Sequence, residues 1–444
     1  MAREFFGTDG IRGRVGEPPM TAEFVLRLAS AAARVLAPSG GRVVIGKDTR
    51  VSGYMLESAL EAGFVAAGMD VQLLGPLPTP GIAFMTKALG ADVGVVISAS
   101  HNPYCDNGIK FFDAEGRKLP DSVEEDIERY LSEPAITRDS SSLGRAKRID
   151  SAREDYQRFC LSTVPDGFRL DPLKIVLDCS HGAGYKVAPR VMTELGAEII
   201  AIGCSPNGKN INDGCGTTHP ELMTMTVKAL GADLGIAFDG DGDRVLMADG
   251  DGNLVDGDQL LYVLARARKQ AGTLVGPVVG TLMTNLGLER ALVQLGIEFH
   301  RASVGDRYVI AMLNEFGGQL GGETSGHLLC LDKTTTGDGL ISALQVLVVM
   351  VESGRTLAEL TAGMPRLPQI LINVRTQTRV SVDDSAEIQS AIAQAQQSIA
   401  GRGRVLVRAS GTEPVLRVMV EGEDEAEVRQ LANELAGEIE RIAA

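Results

Sequence analysis

Short, uninterrupted Val/Ile/Leu runs recur along the chain, and each stops at a polar, glycine-containing loop that leads into a helical pattern. The examples are "RVVIGKDTR", "VGVVISASHN", "LKIVLDCSHGAG", "LGIAFDGDGDR" and "PVVGTLMTNLG". A strand that is apolar on both faces needs cover on both faces, which is the situation in a parallel sheet flanked by helices. The pattern predicts an α/β chain. In such sheets ligands gather at the loops beyond the carboxyl ends of the strands, so those loops are where chemistry should be sought.

The 444 residues exceed what one core organises, and at roughly 150 residues per domain they suggest three or four domains. Three seams interrupt the rhythm: the serine-rich "EPAITRDSSSLGRAKR", a hairpin at "DGDGNLVDGDQ", and "AGMPRLPQ". They divide the chain into 1–150, 151–254, 255–366 and 367–444. The first three parts share the strand-loop-helix rhythm, so they read as related α/β domains with mostly parallel, mixed sheets. The last runs strand, long helix, strand "RVLVRAS", strand "PVLRVMVEG" and helix. In that helix Val428, Leu431, Leu435, Ile439 and Ile442 form one apolar stripe, which predicts packing on a sheet in a smaller α+β domain.

Composition narrows the partners. Acidic residues outnumber basic ones 58 to 43, a formal charge of -15, which argues against nucleic acid as a partner. Six cysteines without a CxxC pair, in a chain large enough to need no disulfides, point to reduced thiols and the cytoplasm. "MAREFFGTDG" lacks an apolar signal core, and "LISALQVLVVMV" is too short to span a bilayer, so no membrane association is expected. A homodimer is compatible with the sequence.

Four loops carry candidate chemistry. In "VVISASHNPYCDNGIKFF" Ser100 follows an apolar strand directly, with His101 and Lys110 close by. "FDGDGDR" sets Asp239, Asp241 and Asp243 at alternate positions on a glycine frame. Three carboxylates so close repel one another unless a cation sits between them, and hard oxygen donors suit Mg²⁺. A helix-loop-helix calcium site would need Gly and Glu where Arg244 and Gly250 stand. The spacing leaves open an aspartate-nucleophile phosphatase built on Asp239. "MADGDGNLV", similar in letters, sits between two apolar runs and reads as a hairpin turn at Asp249 and Asp251. "GGETSGH" offers Glu323, Thr324, Ser325 and His327 as partners for sugar hydroxyls. "VRASGTEPVLR" brings Arg408, Ser410, Gly411, Thr412 and Arg417 together as a phosphate cradle. A hydroxyl able to carry a phosphoryl group, a divalent cation, sugar contacts and a remote phosphate anchor amount to phosphoryl transfer on a sugar phosphate.

Five stretches in order, "FFGTDGIRG", "ISASHNPYCDNGIKFF", "FDGDGDR", "GGETSGH" and "RASGTEPVLRVMVEG", make the chain resemble the α-D-phosphohexomutases over essentially its full length. The resemblance implies four domains around a central cleft. It implies that Ser100 is carried as phosphoserine, with Mg²⁺ held by that phosphate and by Asp239, Asp241 and Asp243. Lys110 and His327 would then move protons, Arg12 and Arg244 would neutralise the reacting phosphate, and Glu323 and Ser325 would grip sugar hydroxyls. Arg408, Ser410, Gly411, Thr412 and Arg417 would hold the phosphate that is not reacting. The sugar would pass through a hexosamine 1,6-bisphosphate, which is both intermediate and activator.

"FGTDGIRG" and "NINDGCGTTHPE" lean the resemblance toward the branch acting on glucosamine phosphates, whose product feeds UDP-N-acetylglucosamine synthesis. Cys105 and Thr324 depart from the usual pattern. Thr324 leaves glucose or mannose phosphates as alternative substrates. An Asp239-nucleophile phosphatase and a non-catalytic sugar-phosphate sensor are the rival readings of another kind.

Overall fold

The computed structural model describes residues 4–376, 382, 385–409 and 414–443. Four sheets follow one another along the chain. In the first, the strand order is Ile11–Arg14, Asp106–Phe112, Val93–Ile97, Gly41–Lys47, Met69–Pro76, Ala146–Arg148. The last four of these are parallel and the first two antiparallel. The second runs Leu254–Val255, Val245–Ala248, Leu234–Phe238, Lys174–Asp178, Glu198–Ile202, with its last three strands parallel. The third runs Phe299–Ala302, Val278–Thr281, Leu320–Gly322, Leu328–Cys330, and only the last strand is antiparallel. The expected mostly parallel, mixed sheets are therefore present in the first three domains. The fourth sheet, Gln369–Arg375, Val415–Gly422, Gly403–Ala409, is wholly antiparallel.

One topological detail sets up everything that follows. In each of the first three sheets a parallel strand runs into a loop and returns as an antiparallel neighbour. These pairs are Val93–Ile97 with Asp106–Phe112, Leu234–Phe238 with Val245–Ala248, and Leu320–Gly322 with Leu328–Cys330. The intervening loops are those of Ser100, the three aspartates, and His327.

Burial follows the sequence pattern. Every residue of Val93–Ile97 and of Leu234–Phe238 is buried, as strands covered on both faces require. One apolar cluster runs unbroken from Val44, Leu77 and Ile82 through Ile175 and Val245 to Leu260, Leu328 and Leu344, so the first three domains share a core. A second covers the other face of the first sheet, with Val25, Leu28, Ile45, Leu60 and Phe64. The fourth domain has a core of its own, in which Ile388, Val418, Val428, Leu435 and Ile439 meet. Its closing helix, Glu425–Ala443, presents the apolar stripe expected of it. Asp249 and Asp251 sit in the hairpin turn between Val245–Ala248 and Leu254–Val255, where the Asp249 carboxylate accepts the N–H groups of Asp251 and Asn253.

The second and third domains are joined by a buried hydrogen bond as well as by apolar contact. Tyr156 Oη donates to Asp338 Oδ2 at 2.7 Å, while Asp338 Oδ1 accepts from Ile341 N and so caps the helix Gly339–Ser353. Burial raises the Asp338 carboxyl to about 6. Replacing Tyr156 by Phe keeps the ring and strands that carboxylate oxygen, so it should cost about 1–3 kcal/mol. The urea midpoint followed by circular dichroism should fall accordingly, and an unchanged midpoint would show that water takes over the bond.

Candidate active site

The serine loop begins where Val93–Ile97 ends. Ser98 Oγ donates to Asp48 Oδ2 at 2.5 Å and accepts from Ser100 N at 3.0 Å. The chain then turns so sharply that Ser100 adopts φ 51°, a left-handed conformation that a residue with a Cβ rarely takes. This turn aims the side chain at the second domain, where Ser100 Oγ donates to Asp239 Oδ2 at 2.6 Å. His101 Nδ1 lies 3.3 Å from the same hydroxyl. Burial, with Arg244 and Arg12 nearby, pushes the His101 imidazole down to about 4, so it is neutral.

Asp239, Asp241 and Asp243 follow strand Leu234–Phe238, and all three are buried. One ligand atom from each lies within 4.8 Å of the others. Burial and the two neighbouring carboxylates push the Asp239 carboxyl well above its ordinary range. Asp241 Oδ1 and Asp243 Oδ1 are buried without a hydrogen-bond partner. An all-oxygen, glycine-framed donor set with orphaned carboxylate oxygens fits a hard divalent cation.

Basic side chains converge on this loop from two other domains. Lys110 Nζ, on the returning strand of the first sheet, lies 2.9 Å from Asp241 Oδ2, 2.9 Å from Asp9 Oδ2 and 3.7 Å from Asp243 Oδ2. Burial works against its charge, but Asp241, Asp9 and Asp243 more than offset this and hold the ammonium well above its usual range. From the third sheet, His327 reaches Asp243 at 3.8 Å through Nδ1 and Asp306 at 3.4 Å through Nε2. Burial again opposes the cation, and Asp306 and Asp243 raise the imidazole above its ordinary value. Lys118 closes the circuit, at 2.5 Å from Asp9 and 2.6 Å from Asp306.

A cleft of about 820 Å³ opens over this network. Arg12, His101, Asp243, Arg244, Glu323 and His327 line it. Arg12 is paired with Asp9, Arg244 N donates to Asp239 Oδ1 at 3.1 Å, and Glu323 Oε1 accepts from Gly305 N at 3.0 Å. Ser325 is exposed and lies outside that lining. Thr324 turns its hydroxyl to the buried Asp258 carboxylate, at 2.8 Å. Cys105 is a half-buried free thiol, and the other five cysteines are free as well.

The two arginines expected in a phosphate cradle stand apart. Arg408 and Arg417 face one another across the hairpin formed by Gly403–Ala409 and Val415–Gly422, and neither lines the cleft. Like charges placed directly opposite are unfavourable. Burial and then Arg417 lower the Arg408 guanidinium, whose Nε is buried without a partner. Such a pair suits an anion. Ser410, Gly411 and Thr412 lie outside the described residues.

The sequence alone does not single out Asp9, Lys118 and Asp306. Asp9 belongs to "FFGTDGIRG", and Asp306 opens the helix Asp306–Phe316 after a short glycine-containing loop that follows the strand Phe299–Ala302. Lys118 carries no local signal.

Models of the phosphoglucomutase/phosphomannomutase family match the chain in all four parts: alpha/beta/alpha domain I at 3–136, domain II at 155–252, domain III at 256–367 and the C-terminal domain at 371–438. The chain belongs to this family. A phosphoglucosamine mutase from Aeromonas hydrophila is 56% identical over 441 residues, covering 99% of each chain. One from Alkalilimnicola ehrlichii is 58% identical over 440 residues, covering 99% of this chain and 98% of the relative. Among solved structures, a phosphoglucomutase/phosphomannomutase family protein from Burkholderia thailandensis superposes with a TM-score of 0.81 at 24% identity, over 98% of this chain and 97% of the other. N-acetylphosphoglucosamine mutase from Aspergillus fumigatus, solved in complex with GlcNAc-6P and magnesium, gives 0.70 at 17% identity, over 99% and 96%. No helix among the described residues is long and apolar enough to cross a membrane.

If the three aspartates take a divalent cation, Mg²⁺ titrated into the full chain should bind with a stoichiometry near one ion per chain. Asp241→Asn should weaken that binding by at least about 10- to 100-fold, the range seen when only an outer-shell partner of a metal ligand is lost. Calorimetry reads both, and equal affinity in the two proteins would remove the loop from consideration.

Proposed function

We propose that the enzyme interconverts glucosamine 6-phosphate and glucosamine 1-phosphate through phosphorylated Ser100 and glucosamine 1,6-bisphosphate. The observation that carries this reading is the 2.6 Å contact between Ser100 Oγ and Asp239 Oδ2, which sets a hydroxyl on the edge of an oxygen-rich cation site. The choice of sugar rests on the relatives at 54–58% identity, named phosphoglucosamine mutases.

The bond changes balance without any outside reactant. The phosphoserine P–Oγ bond breaks as the sugar O1 bonds to phosphorus, and the O1 proton passes to a base in the cleft. The bisphosphate turns end for end. Ser100 Oγ then bonds to the former 6-phosphoryl group, O6 leaves, and a proton returns to it. We assign proton transfer to Lys110 and His327, which flank the aspartate loop from the first and third domains. Arg12 and Arg244 border the cleft where charge spreads over the transferring group, and such fixed charges act strongly in a site shielded from water. Asp239, Asp241, Asp243 and the Ser100 phosphate would hold Mg²⁺, which supplies charge neutralisation for the phosphoryl oxygens. Glu323, in the cleft lining, would bind sugar hydroxyls, with Ser325 on the same loop but outside that lining, and Arg408, Ser410, Gly411, Thr412 and Arg417 would bind the distal phosphate.

We propose domain limits of 1–150, 151–254, 255–366 and 367–444, supported by the spans of the four family models. Six free thiols favour the cytoplasm as the site of action.

Intact-mass analysis of the purified enzyme, with peptide mapping, should find one phosphate on Ser100 in part of the population. Ser100→Ala should abolish turnover in a protein that stays folded, as circular dichroism can verify, and retained turnover would refute the phosphoserine route. Across sugars, kcat/KM should be highest for glucosamine 6-phosphate. A preference for mannose or glucose 1-phosphate would keep the mechanism and change the substrate, whereas steady release of inorganic phosphate would favour the phosphatase.

A further inference from the structure

The serine loop is held from behind by two residues to which the proposed chemistry gives no role. Arg50 Nη2 donates to Ser100 O at 3.2 Å and to Asn102 O at 2.6 Å. Asn212 Nδ2 donates to the same two carbonyls, at 2.9 Å and 3.0 Å. The arithmetic of donors closes: each nitrogen has two N–H bonds, each carbonyl has two lone pairs, and all are used. Turning the Asn212 amide over would aim Oδ1 at two carbonyl oxygens, so its orientation is fixed by chemistry.

Both residues are buried, and each is itself fixed. Arg50 is paired with Asp48, which accepts the Ser98 hydroxyl, whose oxygen accepts Ser100 N. The first domain thus grips its own loop by a closed circuit. Asn212 comes from the second domain, in "NINDGCGTTHPE", and has φ 58°, a conformation Asn tolerates better than most residues. Its N–H donates to Ser180 O at 2.9 Å. The aspartate loop sits directly against this clamp: a Cβ at Gly240 would lie 2.6 Å from Ser100 O and 2.8 Å from Asn212 Nδ2.

We propose that Asn212, acting with Arg50, is a positioning residue for phosphoryl transfer, fixing the left-handed turn at Ser100 so that its hydroxyl stays in register with the Asp239 loop of the neighbouring domain. The inference rests on the phosphoserine reading of Ser100 given above. It accounts for the "NIN" part of a motif that the catalytic chemistry leaves without work. Since the clamp holds the nucleophile and not the sugar, its loss should be felt in the chemical step more than in substrate binding.

The test compares Asn212→Asp, which keeps shape and turn preference but puts an oxygen where the donor was, with Asn212→Gly, which removes the side chain and suits the positive φ. Each is assayed well below its own melting temperature. Both should lower kcat about 10- to 100-fold, the scale of an ångström-sized misplacement, with KM for glucosamine 6-phosphate within about twofold by the same logic. The rate at which glucose 1,6-bisphosphate phosphorylates Ser100, read by intact mass, should fall in parallel with kcat. A kcat within twofold of the parent in both variants, or a rise in KM larger than the fall in kcat, overturns the proposal. Failure of the parent enzyme to turn over any hexose phosphate would instead count against the functional reading. The phosphorylation rate would still judge the clamp.

Discussion

Three carboxylates of one loop are buried within 4.8 Å of one another, and the cleft is arranged around that concentration of negative charge. Charges taken out of water are stable only when paired with good geometry. Here the partners form a ring in which acidic and basic side chains alternate: Asp243, Lys110, Asp9, Lys118, Asp306, His327 and back to Asp243. Two members come from the third domain and three from the first. Assembling the domains and neutralising the aspartates are therefore one event, because neither the loop nor its counter-charges would be tolerated without the other.

Repetition of a single topological feature makes this meeting possible. Each of the first three sheets ends a parallel strand at a loop and returns antiparallel. Three such loops brought together supply His101, Asp243 and His327 to the cleft lining, with the Ser100 hydroxyl, Asp239 and Asp241 buried outside it. The continuous apolar cluster through the three domains fixes their relative positions. The short polar contacts between loops can then be as specific as 2.6 Å from Ser100 Oγ to Asp239.

What the sequence revealed, and what it hid, follows from the range of the interactions. Ser100 and the aspartate triplet were legible because their chemistry is local: a polar residue at the end of an all-apolar strand, and carboxylates at alternate positions. Thr324 looked like a sugar contact, but its hydroxyl is turned to Asp258, a partner 66 residues away. Lys118 and Asp306 are single charges 188 residues apart whose pairing exists only after the first and third domains meet. The clamp on the serine loop was hidden for the same reason, since Asn212 and Ser100 are 112 residues apart. Ser325, expected beside Glu323, shares its loop but not the cleft lining.

The fourth domain differs from the others in how it is attached. Its apolar core is closed on itself, and it meets the third domain largely through polar groups. Arg404 donates to the carbonyls of Leu282 and Thr284, and the buried Glu421 carboxylate accepts from Leu286 N, Gln369 and Arg404. Such bonds can be exchanged for water with little net change in free energy, whereas prising apart the first three domains would expose hydrocarbon. The weak seam of the molecule thus lies between the fourth domain and the body that the first three domains form together. A change confined to the fourth domain can therefore be absorbed within its own core, leaving the turn at Ser100 undisturbed.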